Sequence, residues 1–391
     1  MHAAIDHILH QRLQAPGLMD LLGQIEGALA PNAAAPAMLG EVGAQLGPRT
    51  HVVLWLIDGF ATGYLPHAPL LGADHHATLE TVFPSTTATA ITSILTGRSP
   101  ARHGLLGWHT RLPAAARTLT VLMAEERDEH DERLRLDRRA LTDRVRPERL
   151  IDRLGCPSTF IAPHWITRTP YNRMMGDGAR VIGFDGLADL PARIAAHVRA
   201  TPGPHFTYVY WSELDHLGHD YGPQSPEVTR HLKQLDLAYH ATCAQLAGRD
   251  AVFLTTADHG MRPVARRLDL RQAPAVQACL AHRLTGEPRA AIAHLRDGQH
   301  AAFRAALAAA FGDDVAAIPR TAWLDIGTLG AGPEHPELRQ RAGDYLLLPA
   351  PDAYLVDPPA GDDGPLFHGA HGGLSDEERR IPLFLRNLAL Q

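Results

Sequence analysis

The chain has 391 residues, 45% hydrophobic and 20% charged, which suits one large globular core or two modest ones. Its formal charge of −6 offers no basic footprint for nucleic-acid phosphates, and Lys233, the single lysine among 37 Lys and Arg, leaves lysine-based catalysis almost no candidate. Cys156, Cys243 and Cys279 are isolated and odd in number, which argues against a disulfide framework and sets a cytoplasmic location as the expectation.

Taken in chain order, residues 1–46 read as a helical lead-in ending in an Ala/Pro/Gly linker, "ALAPNAAAPAMLG". The first residues hold no long apolar run, so neither a signal peptide nor a membrane span is expected. Residues 47–391 read as a single domain. It opens on "HVVLWLIDGF" (51–60), a nearly continuous apolar run with β-branched and aromatic residues. Such a run predicts a strand buried on both faces, hence a parallel sheet covered by helices. "FPSTTATAITSILTGRSP" (83–100) predicts a short helix closed by Gly97, with Ala88, Ile91, Ile94 and Leu95 as its apolar stripe and Ser85, Thr86 and Thr87 at its start. Residues 111–150 contain "EERDEHDERLRLDRR", which predicts a solvated charged helix or loop.

"HFTYVYW" (205–211) and "AVFLTTA" (251–257) are strand-like. Between them, Val228, Leu232, Leu235 and Leu237 predict one buried stripe on a helix. Residues 262–340 are Ala-rich and read as a small added layer or cap, and "RIPLFLRN" (380–387) closes the series. Strands alternating with helices predict an α/β fold.

The chemical signal is positional. Asp58 follows the first strand, Asp258 follows the strand at 251–257, and Asp215 lies a few residues beyond the strand at 205–211. In an open α/β sheet the carboxyl ends of the strands line the ligand crevice, so three strands deliver a carboxylate to one edge. Each Asp has company: Asp58-Gly59, Asp215 with His219 four residues on, and Asp258-His259-Gly260. "FHGAHGGLS" adds His368 and His371. Singly, an Asp before Gly is a turn former and a His before Gly an ordinary loop residue. Together they form an Asp/His set that suits a transition ion such as zinc, in numbers that could serve two ions. A helix N-terminus beside such a site would favour an anion such as phosphate. The hydroxyls at 85–87 then have two readings, a plain N-cap or a nucleophile.

These motifs, in this order from about residue 48 to 387, resemble the alkaline phosphatase superfamily, and within it the type I phosphodiesterase/nucleotide pyrophosphatase family. "LIDGF" looks like the first ligand strand end, and "ELDHLGHDYGP", "TADHGM" and "GAHGGLSDEERRIPLFL" resemble the later ligand motifs. The family's nucleophilic Thr lies nine residues before the Thr of a Thr-Gly pair and sixteen before a His-Gly. Counting back from Thr96-Gly97 and from His103-Gly104 gives Thr87 both times. The resemblance implies an alkaline-phosphatase-like sandwich, with a central mostly parallel sheet flanked by helices and cap insertions near 111–150 and 262–340. It further implies two zinc ions, one held by Asp58, Thr87, Asp258 and His259 and the other by Asp215, His219 and His371. His216 and His368 fall outside the matching positions. The activity implied is hydrolysis of a small phosphate ester through a covalent phospho-threonine.

Two positions depart from the family pattern. An Asn that helps hold a phosphoryl oxygen is replaced by Trp108, and an aromatic after the nucleophile is replaced by Ala88. Trp108 and His109 are the candidates to line the pocket instead, with a core role the alternative for Trp108. Among rivals, the Cys-x-Pro-x-Arg pattern of a sulfatase is absent, and a phosphoglycerate mutase would be longer. C–P bond hydrolysis of the phosphonoacetate type, a phosphomonoesterase and a non-catalytic metal-binding protein remain as alternatives.

Overall fold

The computed structural model describes residues 15–390, apart from 31–32, 48–49, 129, 131 and 360. Residues 1–14 of the amino-terminal segment therefore lie outside the described residues. Its described part forms the helices Leu18–Leu29 and Gly40–Gln45, and Leu18, Leu21, Leu22 and Ile25 are buried in the main core.

Seven strands make the main sheet: β1 (His51–Ile57), β2 (His75–Glu80), β3 (Ser158–Pro163), β4 (Arg180–Phe184), β5 (His205–Trp211), β6 (Ala251–Thr256) and β7 (Arg380–Asn387). Their order is β2-β7-β6-β1-β5-β3-β4. The run β6-β1-β5-β3-β4 is parallel, and β7 is antiparallel to both its neighbours. Every residue of β1, β3 and β6 is buried, as continuous apolar strands between two helical layers must be. The register sets Ile57 opposite Trp211 and Leu56 opposite Thr256, so β1, β5 and β6 end at the same level.

The helix Pro226–Leu246 buries Val228, Leu232, Leu235 and Tyr239, but Leu237 is 64% exposed. Two residues on from Leu235 is a turn of about 200° about the helix axis, which carries Leu237 to the opposite face. The helix Thr87–Thr96 has no outer face at all. All ten of its residues are buried, so the predicted single stripe is replaced by burial all round. Its hydroxyls turn inward: Thr92 and Thr96 donate to the carbonyls of Ala88 and Thr92, and Ser93 pairs with His103 Nε2 at 2.9 Å. Gly97, at φ 60°, closes it as predicted. Among the described residues no helix is long and apolar enough to cross a membrane.

The two segments read from sequence as separate additions combine into a second, eight-stranded antiparallel sheet. One half comes from His109–Leu112, Arg117–Thr120, Glu125–Arg127 and Arg133–Arg135, the other from Thr285–Glu287, Ala290–Ala293, Val315–Pro319 and Tyr345–Pro349. They join where Gly286 pairs with His109. The charged stretch at 125–139 is thus two short strands running into a helix, Arg138–Val145. Three-residue strands of Arg and Glu carry too few apolar positions to register as a period.

A buried ion pair ties this second sheet to the chain leading into β7. Arg289 Nε and Nη2 donate to Glu378 at 2.7 and 3.0 Å, and Glu378 also accepts from the amides of Gly373 and Ser375. Removing one partner strands the other's charge in the interior. Arg289→Leu is expected to destabilise by about 3–5 kcal/mol in a denaturant titration, and Arg289→Leu/Glu378→Leu to recover part of that loss. A single variant within about 0.5 kcal/mol of the parent would show that the pair does not hold the sheets together.

Candidate active site

The level ends of β1, β5 and β6 set the site. Asp58 follows β1 directly, Asp258 lies two residues beyond β6, and Asp215 sits in the first turn of the helix Glu213–Tyr221 that follows β5. Gly59 explains the Asp-Gly pair. Its φ is +74°, and a Cβ there would come within 3.1 Å of Asp215 Cα and Cβ. Glycine lets the two carboxylate-bearing segments approach.

All seven residues singled out from the sequence converge. Thr87 Oγ1 is 2.9 Å from His259 Nε2, and that nitrogen is 3.3 Å from Asp58 Oδ1 and 3.5 Å from Asp258 Oδ2. Asp215 reaches His219 Nε2 at 3.4 Å and His371 Nε2 at 3.7 Å. The rings of His259 and His371 stack with centroids 3.7 Å apart and join the two halves. Asp58, Asp215, Asp258, His259 and His371 are all buried.

Two features make this a set of cation donors. The three imidazoles donate Nδ1–H to backbone carbonyls, His259 to Gly260 (2.9 Å), His219 to Gly369 (2.8 Å) and His371 to Ser85 (3.3 Å). That fixes the ring orientation and turns each Nε2 inward. Opposite them, Asp58 Oδ1, Asp215 Oδ1 and Asp258 Oδ2 are buried and make no hydrogen bond. Three such carboxylate oxygens at one place are costly unless a positive charge sits among them. Two overlapping clusters of metal-ligating type result, Asp58–Asp258–His259 and Asp215–His259–His371.

The electrostatics agree. Burial, then the charge of Asp58, pushes the Asp258 carboxyl well above the usual range. Burial alone would lower His259, but Asp258, then Asp58 and Asp215, outweigh it and raise the imidazole to about 10. Burial and the neighbouring His259 and His219 push His371 well below its usual value.

Residues without a sequence signal complete the site. The Tyr210 hydroxyl donates to Asp58 Oδ2. Thr86, at the N-cap position, does not cap the helix; its hydroxyl donates to Glu287 Oε1 at 2.5 Å, and the same oxygen accepts the Trp108 amide at 2.7 Å. Burial raises Glu287 to about 7, against these hydrogen bonds. Glu287 lies in the Ala-rich second half of the chain, where nothing in the local pattern marks it.

The Trp108 ring packs against the main core. His109 is held by Thr120 Oγ1 and by Arg127, and burial with the Arg127 charge lowers it to about 3. His216 bonds the Ser212 carbonyl, and His368 is exposed; neither joins the clusters.

A family model for type I phosphodiesterase/nucleotide pyrophosphatase matches residues 52–374. The chain belongs to that family. It is a hydrolase of the phosphodiesterase/nucleotide pyrophosphatase type, and phosphate-ester hydrolysis is the family's chemistry.

Among solved structures, this family member resembles murine ectonucleotide pyrophosphatase/phosphodiesterase 5. Identity is 18%, coverage 85% of this chain and 87% of that one, and the TM-score 0.62. An inactive variant of the murine protein in complex with AMP aligns similarly, at 18% identity, 85% and 87% coverage and a TM-score of 0.63. Phosphonoacetate hydrolase from Sinorhizobium meliloti, in complex with phosphonoformate, aligns at 20% identity over 86% of this chain and 90% of that one, with a TM-score of 0.59. At such identities the likeness is one of fold. No curated protein matches by sequence.

Because His259 is raised, a metal ion taken up at its Nε2 would displace a proton. Adding zinc to chelator-stripped protein at pH 7 is expected to release roughly one proton per chain from this residue, read with an indicator in weak buffer. His259's folded pKa lies above the unfolded value of about 6.5. Its stabilisation of the stripped protein is therefore complete below about 6.5 and lost as pH climbs through about 10. The stripped protein should melt progressively lower across that rise. A flat melting profile and no proton release would contradict this account of His259.

Proposed function

We propose that the protein hydrolyses phosphodiesters in two displacements through a covalent phospho-threonine on Thr87. The observation that carries this reading is the approach of Thr87 Oγ1 to His259 Nε2, at 2.9 Å, beside three carboxylates with unbonded buried oxygens. The donors fit two zinc ions, one at Asp58, Thr87, Asp258 and His259, the other at Asp215, His219 and His371. Bound there, the ions would activate a hydroxyl and offset the charge that collects on the attacking and leaving oxygens.

The chain's own groups do the rest. Thr87 Oγ, its proton released to solvent water, attacks phosphorus. The bond from phosphorus to the leaving oxygen breaks, and the alkoxide or phenolate departs with its electron pair. Water then cleaves the phosphoester, returning the oxygen to Thr87. Because Thr86 bonds Glu287 instead of capping, the amides of the first turn of Thr87–Thr96 carry no side-chain cap, which supports a role in holding the equatorial phosphoryl oxygens. Tyr210 orients Asp58.

Ala88 and Trp108 bear on the substrate. Neither supplies the base-stacking aromatic or the amide that the family pattern has at these positions. The Trp108 amide is bonded to Glu287 beside Thr86, which supports Trp108 and His109 as the wall nearest the ester's substituent, with the Trp108 ring packed on the core behind it. Lys233 is exposed on the helix Pro226–Leu246 and offers no grip on a phosphonoacetate carboxylate.

Three measurements test the proposal. Elemental analysis should find close to two transition-metal ions per chain, and chelation should abolish turnover. Thr87→Ala should fold and lose a factor on the order of 10³ or more in rate, because no other group can form the ester. Thr86→Ala should keep most of its rate while losing roughly 1–3 kcal/mol of stability from the stranded Glu287. A dead Thr86→Ala beside an active Thr87→Ala would move the nucleophile by one residue. Lastly, bis(4-nitrophenyl) phosphate should be cleaved well, with little discrimination among nucleotides. A preference for one nucleotide on the order of 10³ in kcat/KM, roughly 4 kcal/mol, or faster turnover of phosphonoacetate, would overturn the substrate assignment.

A further inference from the structure

A second group of imidazoles lies at the opposite edge of the main sheet. His51 begins β1 and His205 begins β5, and the register pairs them directly, so their side chains share a face. The helix Leu190–Ala200 packs His197 against the same face. All three are buried, with relative exposures of 1%, 4% and 5%. One ring nitrogen of each lies within 4.8 Å of those of the other two. β1 is seven residues long, so its two ends, and with them this cluster and Asp58, are separated by about 20 Å.

The hydrogen bonds fix proton positions. The Thr201 carbonyl accepts His51 Nδ1–H at 3.0 Å, which leaves His51 Nε2 as a lone pair facing inward. The three catalytic-site imidazoles are oriented by the same device. The Thr207 hydroxyl lies 2.7 Å from His51 Nε2 and 3.1 Å from His197 Nε2, donating to the first and accepting from the second. Moving the His197 proton to Nδ1, where Thr201 Oγ1 lies 3.4 Å away, turns a second lone pair inward without any change of charge. His205 Nε2 is 2.9 Å from Thr159 Oγ1. Burial, then neighbouring His51, keeps both His197 and His205 neutral down to about 4, and neutral imidazole is the metal-binding form.

We propose that His51, His197 and His205 form a metal site for an imidazole-seeking transition dication, zinc, nickel or copper, separate from the catalytic centre. The donor set decides the class of ion. Three neutral nitrogens and threonine hydroxyls, with no carboxylate among the three residues, suit such ions and not magnesium or calcium. The cover is the segment 201–204, where Pro202 and Pro204 are exposed, so the cluster lies just beneath the surface. An ion there would clamp the starts of two central strands to the helix between them.

The test separates this site from the catalytic one. Chelator-stripped Asp58→Asn/Asp215→Asn protein is equilibrated with zinc and its bound metal counted, with and without His205→Asn. The expected result is that His205→Asn removes one ion per chain from the count. In the otherwise unmodified chain, His205→Asn should leave bis(4-nitrophenyl) phosphate turnover within about twofold of the parent. An unchanged metal count overturns the proposal. Should the variants fail to fold, zinc-soaked crystals of the unmodified protein decide it. An anomalous-scattering peak between the three rings supports the site, and its absence while the catalytic ligands carry zinc overturns it.

Discussion

Negative charge gathered in the interior is the constraint around which this structure is arranged. Asp58, Asp215 and Asp258 each bury an oxygen that makes no hydrogen bond, all close to the Nε2 atoms of His259, His219 and His371. A folded chain tolerates such a cluster only if the scaffold forces it and a cation repays it. The first condition is met by parallel strands ending at one level, and rings held by backbone carbonyls turn their Nε2 atoms toward the carboxylates.

The second sheet is the site's support. Glu287 lies on one of its central strands and receives both the Thr86 hydroxyl and the Trp108 amide, so the residue before Thr87 is positioned from the far layer. Gly372, at φ +116°, lets the His371 loop pass Glu287, since a Cβ there would come within 3.0 Å of Glu287 Cβ. Arg289 and Glu378 hold the same loop two residues further along. Layers that look like a catalytic sheet plus a cap are thus coupled through two buried carboxylates, one on each side of the His371 loop.

The hydroxyl-rich helix acquires its meaning in this setting. On a helix buried on every side, Ser93, Thr92 and Thr96 place their hydroxyls by bonding back to the preceding turn or to a buried neighbour. Composition that would suit a surface helix end here serves an interior one. Diverting Thr86 to Glu287 keeps the helix start free of a cap at the point where a phosphoryl group would sit.

Local chemistry was readable in the amino-acid order. An apolar strand followed at once by Asp-Gly, an Asp-His pair after another, an Asp and His four apart, and a Thr counted back from Thr96-Gly97 and His103-Gly104 all lie within single segments. Strand-end position then implies a common edge. The convergence of these seven residues, the mostly parallel sheet and the helix closed by Gly97 follow from signals of that kind. What needed the tertiary structure was everything set by pairing across distance. The union of 109–135 with 285–349 into one sheet depends on cross-strand register, and strands of three to five residues are too short to carry a period that announces it. Glu287 and Tyr210 become site residues through neighbours far away in the chain, and Leu237 leaves the predicted stripe because two residues amount to more than half a helical turn. His51, His197 and His205 are ordinary in sequence; adjacent strand starts and one packed helix make them a cluster.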